Sequence, residues 1–193
     1  MKRQFPALLC AAIVFATSAS AADAEAGRRK AEVCFACHGP DGNPPNPASP
    51  SLAAQAPLYI YYQLLQFREQ RRMNEQMSPF AAKLSDTDMK DIAAYFSAQK
   101  PAAGAAQVPD PATVEAGRAA AARMHCGSCH MPDFSGQKHI PRIAGLHQDY
   151  LVRQLRGFRT GERPDIDGTM ASAAQPLTDK DIADIAWFLA GLR

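Results

Sequence analysis

Apolar and polar positions in this chain recur with the period of helices, and no stretch alternates convincingly with the period of strands. Leu58, Tyr61, Leu65 and Arg68 fall at helical spacing within residues 58–71. Ile92, Tyr95 and Phe96 share one face of a segment that begins at Ser85. Ile182, Ile185, Phe188 and Leu189 do the same in a segment that begins at Thr178. Ser85 and Thr178 each have an aspartate three positions on, Asp88 and Asp181, the pattern of a helix N-cap. Residues 24–33 and 113–125 are rich in Ala, Arg and Glu with little β-branching, which also predicts helix. Residues 39–57 carry Pro, Asn and Gly and read as loop. The predicted fold class is all-α.

These elements form one pattern read twice. Glu25-Ala26-Gly27-Arg28 returns as Glu115-Ala116-Gly117-Arg118. Tyr59, Gln63-Leu64 and Phe67-Arg68 return as Tyr150, Gln154-Leu155 and Phe158-Arg159. Leu84-Ser85-Asp86 and Asp91-Ile92-Ala93 return as Leu177-Thr178-Asp179 and Asp184-Ile185-Ala186. Residues 101–111, with three prolines, a glycine and small side chains, read as an extended linker. The expected domains are therefore 22–100 and 112–193. Gly27 and Gly117 each cost about 1 kcal/mol in a helix that otherwise favours alanine. Their recurrence predicts a close crossing of the first helix of each half over the last, against Tyr95 and Phe96 or Trp187 and Phe188.

The first residues read as a cleaved export signal, residues 1–21. Lys2 and Arg3 precede an apolar run from Phe5 to Ala16, and Ala19-Ser20-Ala21 fits a cleavage site. The run is too short to span a bilayer. Cys10 goes with it, because Leu9 stands where a lipoprotein signal needs a small residue. Export implies the periplasm. Without Lys2 and Arg3 the chain has 19 basic and 19 acidic residues, which argues against a nucleic-acid partner.

The remaining four cysteines carry the chemistry. Cys34-Phe35-Ala36-Cys37-His38 returns as Cys126-Gly127-Ser128-Cys129-His130, and Cys-x-x-Cys-His is the attachment run of a c-type haem. Two thiols at this spacing reach the two vinyl groups of one porphyrin, and the adjacent histidine offers the proximal imidazole. A structural zinc would bring its cysteine pairs closer together, and a redox dithiol would need a βαβ context. Two covalent haems follow, and each gives a domain of about eighty residues the apolar core it could not otherwise build. Pro50 and Pro141, twelve and eleven residues past the histidines, are candidates to accept the free imidazole N–H and fix its tautomer.

The sixth iron ligand decides function, because a closed centre passes electrons and an open one binds or reacts. The first half has no histidine besides His38. Met77 and Met170 stand seven residues before the aligned Leu84 and Leu177, in stretches read as loop, and are the predicted distal ligands. Met89 reads as core, Met73 has no methionine counterpart, and Met124 and Met131 lie too near the second haem run. His139 is the rival at the second iron. His125 and His147 read as surface or hydrogen-bonding residues. Methionine sulfur favours ferrous iron, so two low-spin centres of fairly high potential are expected.

These residues resemble the cytochrome c4 family over essentially the whole exported chain. The resemblance rests on Cys34 to Gly39 with Asp41-Gly42, on Pro141-Arg142-Ile143-Ala144-Gly145, on Gln63 to Arg68, on Met77 to Asp86 and on Asp91 to Phe96. Met131 stands where the family has a glycine, and Ala54 where the other half has Gly145. The resemblance implies two tandem class I cytochrome c domains about a pseudo-twofold axis, with haem propionates near the interface. It implies an electron carrier between a quinol-oxidising bc complex, or another donor, and a terminal oxidase of the cbb3 type. Peripheral association with the inner membrane also occurs in the family. The alternatives are a dihaem subunit of a periplasmic dehydrogenase, such as a sulfide-oxidising flavocytochrome, and, more remotely, a dihaem peroxidase or thiosulfate-oxidising enzyme.

Overall fold

The computed structural model describes residues 21–102 and 110–192. The leader through Ser20, with Cys10, and linker residues 103–109 lie outside the described residues. Ten α-helices appear among the described residues, five to each half. The first half has α1 (Ala24–Lys30), α2 (Phe35–His38), α3 (Pro57–Arg68), α4 (Met77–Ala81) and α5 (Asp86–Ser97). The second repeats them as α6 (Pro111–Arg123), α7 (Cys126–His130), α8 (Gln148–Thr160), α9 (Thr169–Ala174) and α10 (Asp179–Ala190). There is no named strand among the described residues, only an isolated bridge between Gln137 and Ile140.

Each start has a local cause. Asp23 and Asp110 accept the first free amides of α1 and α6. Ser85 with Asp88, and Thr178 with Asp181, form complete capping boxes on α5 and α10. Helix α3 ends three residues before the predicted 71. Gln70 turns to φ 55°, and the amides of Arg71 and Arg72 both return to the Gln66 carbonyl. That reversal takes Arg72 out of the helix. Met77 and Met170 also differ from expectation, because they lie in the short helices α4 and α9 rather than in loops.

The two core clusters are separate. Ile60, Leu64, Met89, Ile92 and Phe96 fill the first, and Leu151, Phe158, Ile182, Ile185 and Leu189 are central to the second. In both, the first helix crosses the last. A Cβ on Gly27 would stand 1.9 Å from the Asp91 carbonyl oxygen, and one on Gly117 2.0 Å from that of Asp184. The crossing is therefore as close as the glycines imply. Its nearest contacts, however, are backbone at the start of the aromatic face, joined at Gly117 by the Cβ of Phe188.

The two halves meet along a polar seam. Gln55 donates from Nε2 to the Arg142 carbonyl at 2.7 Å, and its Oε1 accepts the Arg142 amide at 3.0 Å. The Arg142 guanidinium is buried and donates to Ser51 Oγ and to the carbonyls of Ala53 and Ala144. His147 Nε2 lies 3.0 Å from the Pro44 carbonyl, and Arg153 donates to that of Ala48 at 2.8 Å.

Candidate metal centres

The helical turns α2 and α7 present the two Cys-x-x-Cys-His runs in the same way. Cys34 and Cys126 are partly buried, Cys37 and Cys129 are exposed, and none of the four is in a disulfide. His38 and His130 are buried. Their Nδ1 atoms lie 3.0 Å and 2.9 Å from the carbonyl oxygens of Pro50 and Pro141. A carbonyl can only accept, so Nδ1 carries the proton and Nε2 keeps its lone pair. Burial pushes both imidazoles below their ordinary pKa, partly offset by the proline carbonyls. Both rings are thus neutral near pH 7, the form that binds a metal.

In the second half a cavity of about 350 Å³ brings His130, Cys129 and Met170 into one lining. Its walls are largely apolar, with Ile143, Leu151, Leu155 and Phe158 among them. An imidazole, a thioether and a thiol within one apolar slot match the donor set of a c-type haem. Asp165 holds Met170 in place by accepting its amide and, at 3.3 Å, that of Ala171. Asn74 does the same for Met77, accepting its amide at 2.8 Å and that of Gln76 at 3.1 Å. Met77 packs against the first core cluster, while Met89 is fully buried within it and Met73 is exposed. His139 also lines the second cavity, but it is exposed and faces the Tyr62 ring edge-on at 6.5 Å. His125 is exposed as well.

Part of the lining of that cavity is polar and comes from both halves. Tyr59 and Gln63 of α3 join Tyr150 and Gln154 of α8 and Arg163 there. Arg72 and Arg163 occupy matching places, stacked on Phe67 and Phe158 at 4.8 Å and 4.3 Å. Arg72 donates to Gln63 of its own half and, at 2.9 Å, to Gln154 of the other. Arg163 donates to the same Gln154 oxygen at 2.7 Å, and its Nε is buried without a partner. The guanidiniums also face the Tyr59 and Tyr150 hydroxyls. Burial pushes the Tyr59 hydroxyl above its ordinary pKa. Two partly buried cations therefore converge on Gln154, one of them lining the cavity, and neither forms an ion pair with a carboxylate of the described residues. A haem, with two carboxylates on one edge, fits that deficit.

Sequence reasoning matched the two tyrosines and glutamines as repeat positions but did not connect them to the site. It missed both arginines, whose signal was their common offset of 91 residues. It could not single out Gln55 and Arg142 as partners, because Arg142 answers Ser51 and has no arginine counterpart.

Comparison with known proteins bears on both halves. The family described as "Cytochrome c" matches residues 114–193, and that described as "Cytochrome C oxidase, cbb3-type, subunit III" matches residues 21–96. Cytochrome c4 of Pseudomonas aeruginosa is 40% identical over 181 residues, covering 90% of each chain. The crystal structure of reduced recombinant cytochrome c4 from Pseudomonas stutzeri superposes with a TM-score of 0.82 at 36% identity, covering 90% of this chain and all of that one. A "thiosulfate dehydrogenase electron acceptor" of Thiomonas intermedia is 31% identical over 98% of this chain and 91% of its own.

Proposed function

This chain belongs to the cytochrome c4 family, a dihaem c-type electron-transfer cytochrome, and from that premise we propose that it carries electrons through two closed His/Met centres in the periplasm. His38 with Met77, and His130 with Met170, are the ligand pairs, and Cys34, Cys37, Cys126 and Cys129 are the thioether positions. Bound there, each haem supplies one reversible Fe(III)/Fe(II) couple. The protein's part is to hold, orient and seclude. The carbonyls of Pro50 and Pro141 fix the imidazole tautomer and raise its basicity. Asn74 and Asp165 fix the start of the helix that carries each methionine. The apolar walls exclude water and favour the less charged ferrous state.

The single observation that carries this reading is the second cavity, where His130, Cys129 and Met170 share one lining. The test is optical. Oxidised protein should be low-spin with the weak near-infrared band of sulfur-to-iron charge transfer. Neither carbon monoxide nor cyanide should bind readily to native protein. A high-spin spectrum, or rapid turnover of hydrogen peroxide or thiosulfate, would overturn the carrier reading.

For partners, the reading is a quinol-oxidising bc complex as donor and a cbb3-type oxidase as acceptor. The Thiomonas relative favours a second donor, a thiosulfate dehydrogenase. Stopped-flow reduction by each candidate separates the two, and the physiological donor should reduce the protein at least tenfold faster.

A further inference from the structure

We propose that the Asp165 carboxylate, held against the start of the Met170 helix, lowers the reduction potential of the second haem alone, while Asn74 does the same structural work in the first half without the charge. The inference deepens the carrier reading and rests on it.

The two methionine helices start alike but with different charge. Asn74 Oδ1 accepts the amides of Gln76 at 3.1 Å and Met77 at 2.8 Å. Asp165 Oδ2 accepts those of Met170 and, at 3.3 Å, Ala171. Asn74 is exposed, whereas Asp165 is half-buried and lines the cavity together with His130 and Met170. The repeat itself does not pair these two residues. Asp167 stands three positions before Met170, as Asn74 does before Met77, and it accepts the Thr169 amide at 3.0 Å. Asp167 lines the cavity too, on its exposed rim. In the first half, residues 70–80 hold one acidic side chain, Glu75, and it is exposed.

The Asp165 charge is not cancelled locally. No basic side chain of the described residues forms an ion pair with it. Its partners are backbone amides, which share the charge but carry none of their own. Arg163 lines the same cavity but donates to Gln154, and Arg72 holds the matching place in the first half. The cation is therefore common to both halves and the carboxylate is not. His139, the other basic group of that lining, faces Asp167. A carboxylate partly withdrawn from water is screened less than one at the surface. An anion beside an iron favours the ferric state, which carries one more positive charge than the ferrous. The second centre therefore has a lower potential than it would have with an uncharged residue at 165.

The experiment is potentiometric titration of the dihaem protein and of Asp165→Asn, each centre followed by the NMR signal of its axial methionine. Asparagine keeps an oxygen for the two amides and removes the charge. At a fixed ambient potential the ratio of reduced to oxidised haem at the second centre should rise about fivefold, which is about 40 mV at 59 mV per tenfold for one electron. The first centre should not move. The reciprocal variant, Asn74→Asp, should lower the same ratio at the first centre about twofold, the smaller effect because position 74 is exposed and better screened. It tests the proposal by itself should Asp165→Asn fail to accumulate. An unmoved second centre in Asp165→Asn, equal shifts at both centres, or an unmoved first centre in Asn74→Asp would overturn the proposal. So would loss of the near-infrared band in Asp165→Asn, because the residue would then act by holding Met170 rather than by its charge. A band missing from the unsubstituted protein rejects the carrier reading instead.

Discussion

At residue scale, the positions that depart from the family pattern carry backbone strain. Met131 has φ 71° and ψ 156°, and Gly39, at the same place in the first half, has φ 76° and ψ 154°. Such a conformation costs a non-glycine residue about 1–3 kcal/mol. Met131→Gly should therefore raise the stability of the second half by about 1 kcal/mol, read as a higher Tm, after glycine's own entropic cost is subtracted. Lys30 offers a second test. Its ammonium lies 2.8 Å from Asp88 and 2.7 Å from Asp91, and it is the first cause, ahead of Ser85, of the fall in the Asp88 pKa from 3.8 to about 2. A carboxyl depressed by folding contributes fully above its unfolded value and loses that contribution as pH falls through the folded one. The Tm of the first half should drop more steeply between pH 4 and pH 2 than that of Asp88→Asn. The haem runs were legible at this scale because chemistry fixes their type and spacing, and the same repeat spacing is what proposes Met77 and Met170. Arg72 and Arg163 were not, since a lone arginine in a loop most often reads as solvated charge.

At the scale of elements, periodicity and capping residues located most of the helices, and the complete boxes at Ser85 and Thr178 show why. The errors fall where backbone geometry overrides side-chain pattern. The Gln70 reversal shortens α3, and side-chain acceptors at Asn74 and Asp165 start helices too short to show a period. Arg68 and Arg159 explain another repeated motif. Each bonds the carbonyl of the leucine before the last helix's cap and the first aspartate after it, Leu84 and Asp86 or Leu177 and Asp179. The glycine crossing is the sharpest test here. Gly117→Ala puts a methyl 2.0 Å from the Asp184 oxygen, and backbone cannot yield as a flexible side chain would. A loss of about 3 kcal/mol is expected, enough to lower the Tm of a domain this size by more than about 10 °C.

At the scale of the whole molecule, the duplicated plan was visible in the sequence, but the seam was not, because its main contacts pair unlike residues. Gln55→Leu would strip both the amide and the carbonyl of Arg142 of their partners at a cost of about 1–3 kcal/mol. The expected outcome is that calorimetry resolves two unfolding transitions where the unaltered protein shows greater overlap. The helices on either side would stay folded, since each half keeps its own core. Arg142 has a consequence beyond stability. Opposite it stands Ser51, its counterpart by descent from the repeat. A tandem of two leading halves would set hydroxyl against hydroxyl, and a tandem of two trailing halves would bury cation against cation. The pair can therefore join in only one sense, so the molecule has a head and a tail that a docking protein could tell apart.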